Sequence, residues 1–170
     1  MKILENRYLK ILLFIIAAII LNVAAITFAD FDVQGELKLN YTVKAATGDN
    51  YQVFYSKGET WSEHESIKLE YTNVGEPQVL SYVLPTEVKR IRLDLGDKAG
   101  EIQLSNISLN YLWKKINIDS KALMDSEEKN AITTIKEDND IINIVANNND
   151  PYIVLELDTM NISELFILSR

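Results

Sequence analysis

His64 is the one histidine of the chain, and it lies between two acids in Trp61-Ser62-Glu63-His64-Glu65. An imidazole beside carboxylates is the raw material of a metal site or an acid–base pair. The spacing argues against both. Neighbouring residues of a strand point to opposite faces, so this triplet converges on one ion only from a tight loop. A surface loop histidine is expected. Asp94 and Asp97 bracket Leu95-Gly96, with Glu101 nearby. An oxygen-only calcium site is built from turns of this kind. The spacing matches no EF-hand, so Asp94 and Asp97 are weak metal candidates and solvated turn acids are the plainer expectation. Apart from such a structural calcium, no cofactor is expected.

Other chemistries are excluded more firmly. The chain has no cysteine, which removes thiolate metal sites, a cysteine nucleophile and disulfides. Serine–histidine–aspartate catalysis would have to use His64, and no Gly-x-Ser-x-Gly turn is present. None of the six glycines pairs as Gly-x-Gly, so there is no phosphate-cradling loop. Glycoside hydrolysis needs two acids across a cleft, and with 24 acids after residue 29 the sequence singles out no pair. No catalytic residue is assigned, and the protein is not expected to be an enzyme.

The aromatics are more informative. Eight tyrosines and two tryptophans outnumber five phenylalanines. Tyr and Trp join a flat apolar face to a hydrogen-bonding edge, which suits stacking on sugar rings. Tyr41, Tyr51, Tyr55, Tyr71, Tyr82 and Tyr111 mostly share parity with aliphatic residues, which points to a core. Trp61 falls in an expected loop. Trp61 and Tyr55 are the candidate carbohydrate-stacking residues.

These residues are carried by a string of strands. From Leu37 the apolar residues alternate with polar ones, at 37/39/41/43, 51/53/55, 67/69/71, 80/82/84, 91/93/95 and 153/155/157. Further candidates are 140–146 and 163–168. In 101–113 the phase slips. Ile102 and Leu104 share one parity, and Ile107, Leu109, Tyr111 and Trp113 share the other. One extra residue at Ser105-Asn106 restores a single apolar face, as a β-bulge does, and two short strands joined by a bend are the alternative. Gly-, Asn- and Asp-rich turns separate the runs. About nine short strands, each with one apolar face, predict an all-β antiparallel sandwich. The polar stretch 114–135 interrupts them, as a disordered excursion or a short helix over 121–130 capped by Ser120.

Ile11 to Ala29 is a different kind of segment, 19 residues without a charge. Lys2, Arg7 and Lys10 precede it, and no basic residue follows until Lys38. About 20 apolar residues cross a bilayer as helix, and positive charge stays on the cytoplasmic side. The expected organisation is a hydrophobic helix in 1–29 and an extracytoplasmic domain in 30–170. Ile11, Leu12, Leu13, Phe14, Ile15, Ile16, Ile19, Ile20 and Leu21 would form the anchor. Small residues at Val23-Ala24-Ala25 and Thr27-Phe28-Ala29 equally suit a cleaved signal peptide and a secreted product. The remainder carries 14 basic and 24 acidic side chains, an excess that repels nucleic acid.

Val88–Leu109 resembles a β-sandwich domain of the outward-facing parts of bacterial surface-polysaccharide membrane proteins, often found beside glycosyltransferases and similar to jelly-roll carbohydrate-binding modules. Arg92, Asp94, Gly100, Ile102, Leu104 and Ile107 carry the likeness, with Leu95 where proline is usual. Phe54-Tyr55 followed by Thr60-Trp61-Ser62-Glu63, and Asn149-Asp150-Pro151-Tyr152-Ile153, extend it. The resemblance implies a jelly-roll-like fold and a non-catalytic module contacting cell-envelope carbohydrate or supporting the machinery that handles polysaccharide. The alternatives are an assembly module for a membrane protein partner and, more remotely, a small secreted hydrolase.

Overall fold

A computed structural model describes residues 2–28, 35–147 and 150–157. The chain divides into two compact units, Met1–Gln34 and Gly35–Arg170.

The first unit contains helix α1 (Lys2–Phe28). All nine residues expected to form the anchor are helical and exposed. Among the described residues no helix is long and apolar enough to cross a membrane, so a spanning anchor has no support there. The side chains described in α1 are those of residues 7–22. The uncharged run of the sequence continues past them to Ala29.

The second unit holds β1 (Leu37–Ala45), β2 (Asp49–Ser56), β3 (Ser66–Tyr71), β4 (Gln78–Leu84), β5 (Arg90–Asp94), β6 (Gly100–Tyr111), β7 (Lys114–Asn117), helix α2 (Ser120–Met124), β8 (Lys129–Asn130), β9 (Ile132–Asp138), β10 (Ile141–Ala146) and β11 (Tyr152–Glu156). One sheet runs β4-β1-β6-β10-β9, with β7 also on β6, and the other runs β3-β2-β5-β11-β8. Every pair of neighbours is antiparallel. The period of two explains the layering. Leu37, Leu39, Tyr41 and Val43 of one sheet and Tyr51, Val53, Ile91 and Leu93 of the other fall in a single buried cluster, while their sequence neighbours face out. The expected antiparallel sandwich is present.

The phase slip of β6 is a bulge. Asn40 and Thr42 of β1 stand opposite Ser108 and Ser105, so β6 spends one extra residue there. Asn106 takes φ +53, a left-handed conformation that asparagine tolerates better than most side chains. Ile102, Leu104, Ile107, Leu109 and Tyr111 are thereby all buried.

The stretch 114–135 contains β7, α2, β8 and the start of β9. The cap of α2 is Asp119 rather than Ser120. The Asp119 carboxylate accepts the N–H of Lys121 at 2.9 Å, and Ser120 becomes the first helical residue. Residues 163–168 lie outside the described residues.

Candidate functional site

Because Tyr51, Val53, Ile91, Leu93, Ile153 and Leu155 turn inward, their neighbours form the outer face of the second sheet. Arg90, Arg92 and Asp94 of β5 stand between Phe54 of β2 and Tyr152 and Glu156 of β11. The Arg92 guanidinium lies 5.0 Å from the Phe54 ring centre and 4.0 Å from that of Tyr152. It forks onto Asp94, with Nε 2.6 Å from Oδ1 and Nη2 2.9 Å from Oδ2. Nη2 also reaches both oxygens of Asp150, at 3.0 and 2.8 Å. Arg90 repeats the arrangement one step along the strand. Its guanidinium lies 5.0 Å from the Trp61 ring centre. It donates to Glu156 at 2.6 Å, Glu128 at 2.7 Å and the Glu59 carbonyl at 3.2 Å. Planar guanidinium suits both contacts, since it stacks on rings and matches a carboxylate in two places.

Two arginines thus bind four carboxylates and three rings. Asp94 is the most enclosed of these four acids, with 13% of its side chain exposed. Burial pushes its pKa up to about 6, with the charges of Asp150 and Glu63 adding and Arg92 opposing. Beside Arg90 opens a recess of about 540 Å³ lined by Lys57, Gly58, Glu59, Lys89, Arg90 and Glu156. Its walls offer ammonium and carboxylate groups at one rim of the Trp61–Arg90 stack.

The two expected stacking residues are not equivalent. Trp61 is half-buried in the loop before β3, with a ring face toward Arg90. Tyr55 is partly buried and packs against the core on the inner side of β2. The two occupy opposite faces of the sheet. Tyr41, Tyr51, Tyr71, Tyr82 and Tyr111 are core residues. The most exposed tryptophan is Trp113, 71% exposed at the tip of the β6–β7 hairpin.

His64 is exposed in a single helical turn, Glu63–Glu65, where the Ser62 hydroxyl accepts the His64 N–H and the Ser62 carbonyl that of Glu65. The Glu63 carboxylate accepts from the Gln52 amide at 3.1 Å. Asp94 has both oxygens on Arg92. Asp97 lies in a turn held by Asp49, whose Oδ2 accepts the N–H groups of Asp97 and Lys98, each at 2.9 Å. Gly96 completes that turn. It has φ +91, and a Cβ there would sit 2.5 Å from the Asp49 carboxylate. Among the described residues no group of three His, Cys, Asp or Glu is placed to hold a metal ion.

Sequence reasoning did not single out Arg90, Glu128 or Glu156, because an arginine on the polar side of a strand reads as solvated. The signal lay in register. Phe54, Trp61, Arg92, Asp94, Asp150 and Tyr152 come from three separate segments and meet on this face. No family model, curated protein or solved structure matches this chain.

Proposed function

We propose that the second unit is a non-catalytic, jelly-roll-like β-sandwich module that contacts cell-envelope carbohydrate outside the cytoplasm. The recess beside the Trp61–Arg90 stack carries this reading. Its volume falls within the ordinary range for small-ligand sites. Trp61 does not line the recess, but Arg90 belongs to both the recess and the Trp61 stack, and the paired donors and acceptors of its walls are groups that bind sugar hydroxyls. The acids of the face are engaged by Arg90 and Arg92, which suits binding better than proton transfer. The placement outside the cytoplasm rests on the sequence: the basic residues before Ile11, the uncharged run to Ala29, and the exposed apolar side chains of α1. Such a helix, apolar on all sides, needs a lipid or protein covering. It serves as tether, or it is removed as a signal peptide.

The test is retention of the full chain, in a detergent without a sugar headgroup, on purified cell-envelope polysaccharide. Retention is expected with millimolar to micromolar affinity, about −4 to −8 kcal/mol. Trp61→Ala should weaken it at least tenfold. A folded wild-type chain that is not retained overturns the reading.

One observation favours a second reading, a protein assembly module. β4 is the edge of its sheet, and Val79 and Val83 on it are 67% and 46% exposed. An exposed apolar edge strand is a template for strand addition by a partner. Cross-linking from β4 to a membrane protein, without polysaccharide retention, would select it.

A further inference from the structure

β6 is covered unevenly along one edge. β10 pairs with residues 100–104 and β7 with residues 108–111, while β1 occupies the other edge. Between the ends of β10 and β7 lies the bulge, and there the surface opens into a recess of about 500 Å³. Its floor is apolar, made by the buried side chains of Ile107, Ile118 and Ile142. Its lining includes Asn106, whose amide lies 3.4 Å from the Thr42 hydroxyl of β1, together with the amide of Asn117 and the hydroxyls of Ser105 and Ser120.

The chemistry of that lining is selective. Amides and hydroxyls both donate and accept, as the hydroxyl groups of a sugar do. Lys115 is the one cation, against Asp119 and Asp140. Asp119 already accepts the N–H of Lys121 at 2.9 Å and lies 3.2 Å from the Ser120 hydroxyl. The recess therefore has no positive excess for a phosphate or uronate, and it belongs to no metal cluster among the described residues. An apolar floor under neutral donors and acceptors fits a polyhydroxylated ring without charge.

A row of uncharged side chains leads to it. Ser81, Asn40, Ser108 and Asn117 stand opposite one another on β4, β1, β6 and β7. Ser108 is the covered member of this row, buried with the Asn110 amide 3.4 Å from its hydroxyl, and Ser81, Asn40 and Asn117 are its accessible members. The row crosses three strand spacings, about 14 Å, which suits a short run of sugar rings rather than one. A quarter of the residues of this chain are charged, yet none stands in the row.

We propose that the recess between β7 and β10, with the Ser81–Asn117 row leading to it, is a second binding site, for a segment of neutral oligosaccharide. It rests on the carbohydrate reading above, but it lies on the other sheet and does not use Trp61.

The test is an NMR titration of the full-length ¹⁵N-labelled chain in a detergent without a sugar headgroup. The probes are neutral gluco-, manno-, galacto- and rhamnotetraoses, with tetragalacturonate as the charged comparison. At least one neutral probe should shift the backbone amides of 105–107 and the side-chain amides of Asn106 and Asn117. The double variant Asn106→Gly/Asn117→Ala should weaken that binding at least tenfold, and Trp61→Ala should leave it unchanged. Glycine keeps the left-handed position, and Asn117 is exposed, so the variant retains the fold. Shifts confined to the surface around Trp61 and Arg90 overturn this site while leaving the first reading standing. Tetragalacturonate binding the recess as tightly as the neutral probes overturns the neutral class. No shift with any neutral probe, or a double variant that binds as well as wild type, overturns the proposal.

Discussion

Asp94 shows how much a single residue owes to its surroundings. Its carboxylate is forked onto Arg92, an arrangement that favours the ionised form, yet burial outweighs it and the pKa rises to about 6. In the unfolded chain an aspartate titrates near 4. Folding therefore takes up a proton at this site between about pH 4 and 6. Because the folded value is the higher one, the stabilisation from this group is fully present below pH 4 and is lost as pH rises through 6. Asp94→Asn removes the titration. The wild-type chain, followed by urea unfolding, should lose about 1–3 kcal/mol relative to Asp94→Asn on going from pH 4 to pH 7.5. A difference between the two proteins that stays flat across that range would show that Arg92 and not burial governs the carboxyl.

At the scale of elements, the bulge of β6 carries the most consequence. It aligns five apolar side chains on one face, and it separates β7 from β10 so that the recess can form. Its key backbone position is Asn106 at φ +53. A β-branched residue is stiff and crowded there, so Asn106→Val should cost about 1–3 kcal/mol in a denaturant titration. Asn106→Gly should fall within about 0.5 kcal/mol of wild type. Equal costs for the two would mean that the amide contact to Thr42, at 3.4 Å, matters more than the backbone. This element was legible in the sequence, because an apolar repeat that changes parity without a turn signal keeps one buried face only by inserting a residue. The strands with one clean apolar face were legible through the same period of two. β9 was not. It is an edge strand with most of its side chains partly or wholly exposed, so burial imposes no period of two on it. The candidate site was half legible. Trp61 stood out by type and by its loop, whereas Arg90 and Arg92 gain meaning only when register sets them against Trp61, Phe54 and Tyr152. Tyr55 stood out by side-chain type, whereas its parity with Tyr51 and Val53 already set it on the inner face, where it packs.

At the scale of the whole sandwich, apolar packing presses two sheets together but says little about their alignment, since it is non-directional. The tyrosines of the core supply direction. The rings of Tyr41 and Tyr82, from adjacent strands of one sheet, stack at 5.6 Å with their hydroxyls 2.9 Å apart. The Tyr82 hydroxyl also donates to the Tyr51 carbonyl in the other sheet at 3.1 Å. Tyr51 in turn meets Tyr71 edge-on at 6.0 Å. All four rings are buried. Burial raises the hydroxyl pKa values of Tyr41, Tyr51 and Tyr82, so the hydroxyl groups stay neutral across the physiological range. Tyr82→Phe keeps the ring and removes the one hydroxyl that joins Tyr41 to the opposite sheet. A buried hydrogen-bonding group left without its partner costs about 1–3 kcal/mol, and for a domain of this size that is a fall in Tm of several degrees. Tyr41→Phe should cost less, because the Tyr82 hydroxyl then keeps the Tyr51 carbonyl. The two changes act on one chain of bonds, so the double variant should lose less than the sum of the single ones. Full additivity in thermal unfolding of the four proteins would mean that the link between the sheets contributes nothing beyond its separate bonds.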